Sequence, residues 1–222
     1  MKADSAPVAA LDCGTNSTRL LVVDSTGRAL DRQMRITRLG EGVDATGRLA
    51  VGAIDRTVAV LADYRRRMDE LGVGRARMAA TSAVRDAANA EAFFSAARRA
   101  TGVEPELLSG DEEGRLSFAG ATAALAPGMG GAGPVLVVDI GGGSTELVVG
   151  EPGHPADARA VSMDVGCVRV TERFLAHDPP LPAELEEAEA AVGGLMRAAR
   201  DALPVLEPDG LLIGLAGTVS TL

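Results

Sequence analysis

The stretch Val8-Ala9-Ala10-Leu11-Asp12-Cys13-Gly14-Thr15-Asn16-Ser17-Thr18-Arg19-Leu20-Leu21-Val22-Val23 returns 127 positions later as Val135-Leu136-Val137-Val138-Asp139-Ile140-Gly141-Gly142-Gly143-Ser144-Thr145-Glu146-Leu147-Val148-Val149-Gly150. At that shift Asp12 meets Asp139, Gly14 meets Gly141, Ser17 meets Ser144 and Thr18 meets Thr145. Each copy reads as an apolar strand, an Asp, a Gly-containing turn, Ser-Thr and a second apolar strand, which is a hairpin signal. A repeated supersecondary unit implies two related half-molecules, each opening on one hairpin and facing the other across a cleft.

Strand and helix patterns alternate around the two hairpins. Arg35 to Leu39 reads as a further strand. Ile54, Val58, Leu61, Tyr64 and Met68 recur at helical spacing and Gly72 follows as a stop. Arg77 to Ala80 is a short strand, Asn89 to Thr101 a helix ended by Gly102, and Gly110 to Ala124 another helix. Pro127 to Pro134, rich in Gly, reads as a loop or linker. Beyond it, Ala183 to Leu203 reads as a helix with glutamates in its first turns, where the helix dipole favours them. Leu211 to Ile213 reads as a last strand and Gly217 to Ser220 as a turn. The fold class is therefore α/β, with domains expected over 1–116 and 117–222.

Composition removes several chemistries. Among 22 basic residues the only lysine is Lys2, so neither a P-loop lysine nor a buried pyridoxal lysine is available. Two cysteines (Cys13, Cys167) and two histidines (His154, His177) build no Cys/His zinc cluster and no disulfide framework. The net charge of -9 argues against nucleic acid or an anionic membrane as partner. One Tyr and four Phe leave little for base stacking. No stretch is long and apolar enough to span a membrane, and no basic-then-apolar leader opens the chain, so a cytoplasmic location is expected.

Each hairpin turn has the parts of a phosphate site. A strand ending in Asp12 or Asp139 puts a carboxylate at the mouth of the turn. Gly14, and Gly141, Gly142 and Gly143, let backbone N–H groups approach a ligand. Thr15, Asn16 and Ser17, or Ser144 and Thr145, add donors suited to phosphate oxygens. A carboxylate beside phosphate donors makes sense when a divalent cation bridges them, as Mg²⁺ does. One such turn alone is an ordinary hairpin; two in register are not. Arg85, near a helix start in Thr81-Ser82-Ala83-Val84-Arg85-Asp86, is suited to clamp a phosphate, or else pairs with Asp86 on the surface. In Ser109-Gly110-Asp111-Glu112-Glu113-Gly114, Ser109 is a candidate N-cap with acids in the first turn. A carboxylate there is also what hydrolysis needs to deprotonate a water.

Taken in order, Leu11 to Leu20, Thr81 to Asp86, Ser109 to Gly114, Asp139 to Glu146, Ser162 to Cys167 and Gly214 to Thr218 resemble the motifs of the exopolyphosphatase / guanosine pentaphosphate phosphohydrolase family. The resemblance implies two ribonuclease-H-like domains of the actin-like, sugar-kinase and heat-shock-ATPase superfamily. It makes Glu113 the carboxylate that activates the attacking water, and Asp139 and Glu146 groups that orient Mg²⁺ and the reacting phosphate. Asp12 joins them as a metal candidate, and the two loops with Arg85 grip the terminal phosphoryl groups. Gly114 stands where the family often shows Ala. Family members run on past the Gly217-Thr218 motif, whereas this chain stops at Leu222. The second domain is therefore expected to be C-terminally truncated, with apolar surface exposed around Val135 to Val138 and Leu211 to Ile213 and with weak activity.

The expected reaction is Mg²⁺-dependent release of terminal orthophosphate from inorganic polyphosphate. Arg19, Arg28, Arg32, Arg35 and Arg38 surround the first loop against only Asp24 and Asp31. The alternatives are guanosine pentaphosphate (pppGpp) hydrolysis, a superfamily phosphotransferase, and a non-catalytic actin-like nucleotide switch. Scarce aromatics favour polyphosphate over a guanine pocket, and Glu113 argues against the switch. A homodimer is left open.

Overall fold

The computed structural model describes residues 6–123, 125, 133–203 and 210–221. The chain divides into two compact units, Met1–Leu108 and Ser109–Leu222.

In the first unit β1 (Val8–Cys13), β2 (Ser17–Val23) and β3 (Ala29–Ile36) form an antiparallel meander. β4 (Arg75–Ala80) then pairs parallel with β1, and β5 (Pro105–Leu107) parallel with β4, giving the order β3-β2-β1-β4-β5. The short helix α1 (Val43–Thr46) leads into α2 (Val51–Glu70); α3 (Ser82–Arg85) and α4 (Ala90–Thr101) follow β4. Alternation along β1, β2 and β4 sends Leu11, Cys13, Leu20, Val22, Met78 and Ala80 to one face. There they pack with Leu61, Tyr64 and Met68 of α2 and Phe93 of α4 in one core. The buried Tyr64 hydroxyl donates to the Thr18 carbonyl at 2.9 Å, which ties α2 to the strand leaving the first loop. On the opposite face Ala10, Arg19, Met34 and Ile36 are exposed.

The second unit repeats the plan. β6 (Val135–Ile140), β7 (Thr145–Gly150) and β8 (Arg159–Met163) form the meander, and β9 (Leu212–Leu215) pairs parallel with β6. The order β8-β7-β6-β9 matches β3-β2-β1-β4 strand for strand. This is the ribonuclease-H-like arrangement that the family resemblance implies.

Here helices cover both faces. α5 (Gly110–Thr122) buries Phe118 against Val135, Val137, Val148 and Ala158. α6 (Cys167–Phe174) and α7 (Pro182–Ala202) lie over the other face, where Ala199 joins Leu147, Met163 and Val165. Val135 and Val137 are accordingly fully buried rather than exposed as the sequence led one to expect; only Leu212, at 62%, stands open among the apolar residues named there.

The division between the units falls after Leu108, not after residue 116. Gly110–Thr122 is one unbroken helix, and all of it belongs with β6, β7 and β8. Six of the eight residues from Pro127 to Pro134, namely 127–132, lie outside the described residues. No helix among the described residues is long and apolar enough to cross a membrane.

Candidate active site

The first loop closes the β1–β2 hairpin with Gly14 N–H donating to Ser17 O at 3.0 Å. Its carbonyls are taken by the chain just beyond β3. Thr37 and Arg38 N–H both reach Asn16 O at 3.0 Å, and Gly40 N–H reaches Thr15 O at 2.9 Å. Gly40 fits so tightly that a Cβ there would stand 2.4 Å from Thr15 Cγ2 and 3.0 Å from Ala83 Cβ. Thr15 is buried, and the loop therefore adjoins α3, whose last residue is Arg85. The Arg85 guanidinium is already engaged, donating from Nη1 to Leu108 O at 2.9 Å. Asp12 is half-buried and lies opposite Arg19 in the strand register, with 3.9 Å between the charged groups.

The second loop closes in the same way, Gly141 N–H donating to Ser144 O at 3.0 Å. At the position of Arg19, however, stands Glu146. Asp139 and Glu146 are register partners, so both carboxylates project from the same face of the sheet. That face is the one α5 covers. Ser117 Oγ of α5 donates to Asp139 Oδ2 at 2.7 Å. Glu146 is 2% exposed and accepts from Ser162 Oγ at 2.8 Å, its register partner on β8.

Gly114 explains how the helix comes so close. A Cβ at this position would lie 3.0 Å from Val148 Cγ2, 3.2 Å from Ala160 Cβ and 3.6 Å from Glu146 Cβ. Glu113 is half-buried and sits four residues before Ser117, hence one helical turn along the same stripe. Its neighbour Glu112 is otherwise employed. Glu112 Oε2 accepts from Ser109 N–H at 3.0 Å and from Ser109 Oγ at 2.9 Å, while Glu112 N–H donates back to Ser109 Oγ. This capping box seats the helix start and separates two adjacent glutamates by job.

The thiols are not part of this chemistry. Burial, with the adjacent Asp12, pushes the Cys13 thiol far up, so it stays protonated. His177 Nδ1 pairs with Glu184 Oε1 at 2.8 Å rather than with a cysteine.

The family model of the Ppx/GppA phosphatase family matches residues 21–222. Exopolyphosphatase 2 of Mycobacterium tuberculosis is 46% identical over 227 residues, spanning 97% of this chain and 69% of that protein. The chain belongs to the Ppx/GppA phosphatase family. The crystal structure of an exopolyphosphatase-like protein overlays with a TM-score of 0.87 at 38% identity, covering 97% of this chain and 68% of that one. The Ppx/GppA family member of Aquifex aeolicus overlays at 0.72 with 34% identity, over 97% of this chain and 68% of that one. Ppx/GppA family phosphatases are hydrolytic enzymes.

Within this Ppx/GppA chain, the expected site residues fall into two sets. Asp12, Gly14, Thr15, Asn16, Ser17 and Arg85 belong to the first unit. Glu113, Asp139, Gly141, Gly142, Gly143, Ser144, Thr145 and Glu146 belong to the second, joined through α5 and the β6–β7 hairpin. Sequence reasoning missed Ser117 and Ser162, the two hydroxyls that donate to the carboxylates. Ser117 lay within reach of it: four residues after Glu113 is the same helix face. It also missed Gly166 and Arg169, which pack on the second loop; only the Gly-Cys context after Val165 hinted at them.

Proposed function

We propose that the chain is an exopolyphosphatase-type hydrolase that removes terminal orthophosphate from inorganic polyphosphate with the help of Mg²⁺. The observation that carries this reading is the pairing of Asp139 with Glu146 beneath α5, with Glu113 one turn from the serine that binds Asp139. Two carboxyl groups directly opposite one another across two strands offer oxygen donors from one face, and a bound cation would favour their ionised forms.

The donor set suits Mg²⁺. It is all hard oxygen, and Mg²⁺ typically takes one or two carboxylates and fills its shell with water and phosphate oxygens. Asp12 is the poorer ligand of the candidates, because Arg19 already faces it. When bound, the cation neutralises phosphate charge and fixes the orientation of the reacting group.

The chain's own residues supply the rest. Each Gly/Ser loop offers backbone N–H and hydroxyl donors to a phosphoryl group, and Arg85 offers a guanidinium within the first unit. Glu113 accepts a proton from the attacking water; the water oxygen bonds to the terminal phosphorus, and the bridging P–O bond breaks towards the shortened chain. Ser117 and Ser162 keep Asp139 and Glu146 in place for this work. The name of the M. tuberculosis relative and the scarcity of aromatics support polyphosphate as substrate; the same chemistry would serve pppGpp. A cytoplasmic location belongs to the same reading.

The test is orthophosphate release from polyphosphate and from pppGpp side by side, with Mg²⁺ and with EDTA. Release from polyphosphate that EDTA abolishes, without ATP formation when ADP is present, is the expected result. Transfer to ADP would make the enzyme a phosphotransferase instead, and release from pppGpp alone would reassign the substrate.

A further inference from the structure

The second loop leans on α6 through its carbonyls. Cys167 N–H donates to Gly141 O at 3.0 Å, and Val168 and Arg169 N–H donate to Gly142 O at 2.9 and 3.2 Å. The Arg169 side chain then adds a bond that the backbone does not supply, Nε to Gly143 O at 2.9 Å. Three consecutive carbonyls are thus turned towards α6.

In a planar trans peptide the next N–H points opposite to the carbonyl. The N–H groups of Gly142, Gly143 and Ser144 therefore form a row directed away from α6. Among the described residues none of these three donates to another group. Gly143 and Ser144 are buried, where an N–H without an acceptor is costly. Gly166 lets the helix seat this closely: a Cβ on it would stand 2.5 Å from both C and O of Gly142.

We propose that Arg169 is a positioning residue for phosphate binding. Its guanidinium holds the Gly143 carbonyl on the α6 side, so that the Gly142, Gly143 and Ser144 N–H groups form a preformed row of donors for phosphate oxygens. The inference rests on the phosphate-loop reading above. The first loop explains why a side chain is needed here. There Asn16 O is held by two backbone N–H groups, and Thr15 and Asn16 carry side chains that restrict the backbone. Three successive glycines have far more conformational freedom, and the Arg169 bond removes it.

Removing one oriented backbone donor typically costs ~10²–10³ in rate, so loosening the last of three should cost about 10-fold to 100-fold. The experiment is ¹⁵N chemical-shift titration of the full chain with orthophosphate and pyrophosphate, followed by the same titration of Arg169→Ala. The Gly142, Gly143 and Ser144 amides should move in the parent. Arg169→Ala should weaken binding about 10-fold or more, and added ethylguanidinium should restore part of it, which a merely structural loss would not allow. Arg169→Lys, which keeps charge but loses the planar donor, carries the same comparison if the alanine variant does not fold. Parent amides that ignore both anions, or variants that bind as the parent does, would overturn the proposal. A parent that binds phosphate at these amides yet hydrolyses neither polyphosphate nor pppGpp would sink the reading of the reaction and leave this one standing.

Discussion

In the first hairpin Asp12 faces Arg19, while at the matching positions of the second hairpin Asp139 faces Glu146. Strand order, register and the closing hydrogen bond of the loop are otherwise the same. The first pair neutralises itself. The second sets two carboxyl groups side by side on a helix-covered face. The helix makes a parallel distinction: α5 presses Ser117 and Gly114 onto the second sheet, whereas the corresponding face of the first sheet leaves Arg19 and Ala10 exposed. One backbone plan thus carries an acid–base pair in one copy and a pair of carboxylates in the other.

The largest effect should come from Glu113. Glu113→Gln keeps the shape and cannot take a proton, and loss of a positioned base costs ~10²–10⁴ in kcat. Substrate binding should stay within a few-fold. Glu112→Gln, one residue away, keeps a side chain that can complete the capping box and should change neither stability nor rate by much. Steady-state kinetics and thermal unfolding of the two variants give the comparison. Equal rate losses would mean that the wrong glutamate has been assigned.

Next in size is the difference between the two aspartates. Asp139→Asn should raise the Mg²⁺ concentration needed for half-maximal rate far more than Asp12→Asn does. Ser117→Ala, which strips the hydroxyl from Asp139 Oδ2, should weaken Mg²⁺ affinity by ~10–100-fold, the usual cost of losing a group that orients a ligand. Mg²⁺ titrations of orthophosphate release decide it. Overlaying curves for both aspartate variants would erase the asymmetry between the hairpins.

The hairpins were legible because the Asp, Gly and Ser-Thr positions recur inside strongly apolar strands. β3 was harder. It runs Ala29–Ile36, where the sequence suggests Arg35 to Leu39, because Ala-Leu-Asp-Arg-Gln-Met-Arg-Ile alternates weakly on an edge strand that buries none of it. β8 and α6 gave no periodic signal either: β8 is five residues long, and α6 buries no residue of its own. Gly217 made Ala216–Ser220 look like a turn, though it is a short helix, α8. Within the candidate site, the Gly and Ser-Thr residues of both hairpin turns could be read in advance. The pairing of the carboxylates with the Ser117 and Ser162 hydroxyls could not, since it depends on how α5 and β8 pack against β6 and β7.

The smallest effect concerns acid. Among the described residues, Asp24 and Asp31 in the first unit and Glu184 in the second are held below the ordinary carboxylate range, Asp31 by hydrogen bonds from Arg67 and Gln33. Asp24, in the β2–β3 turn, is lowered from 3.8 to about 2, chiefly by the Thr26 hydroxyl and also by Thr26 and Arg28 N–H. Glu184, in the first turn of α7, is lowered from 4.5 to about 2, chiefly by His177 and also by Leu181 and Ala176 N–H. Both native forms bind fewer protons than the unfolded chain at pH 2–4. Their stabilisation is therefore full above about pH 5 and is lost as pH falls through 4 towards 2. Asp24→Asn should flatten this loss in the first unit and Glu184→Gln in the second, by similar small amounts because both sites are wet. Native-state hydrogen exchange followed between pH 5 and 2.5, reading strand amides of each unit separately, resolves the two contributions. Curves for both variants running parallel to the parent would show that acid sensitivity arises elsewhere, and a loss confined to one unit would extend the asymmetry of the hairpins to their supporting turns.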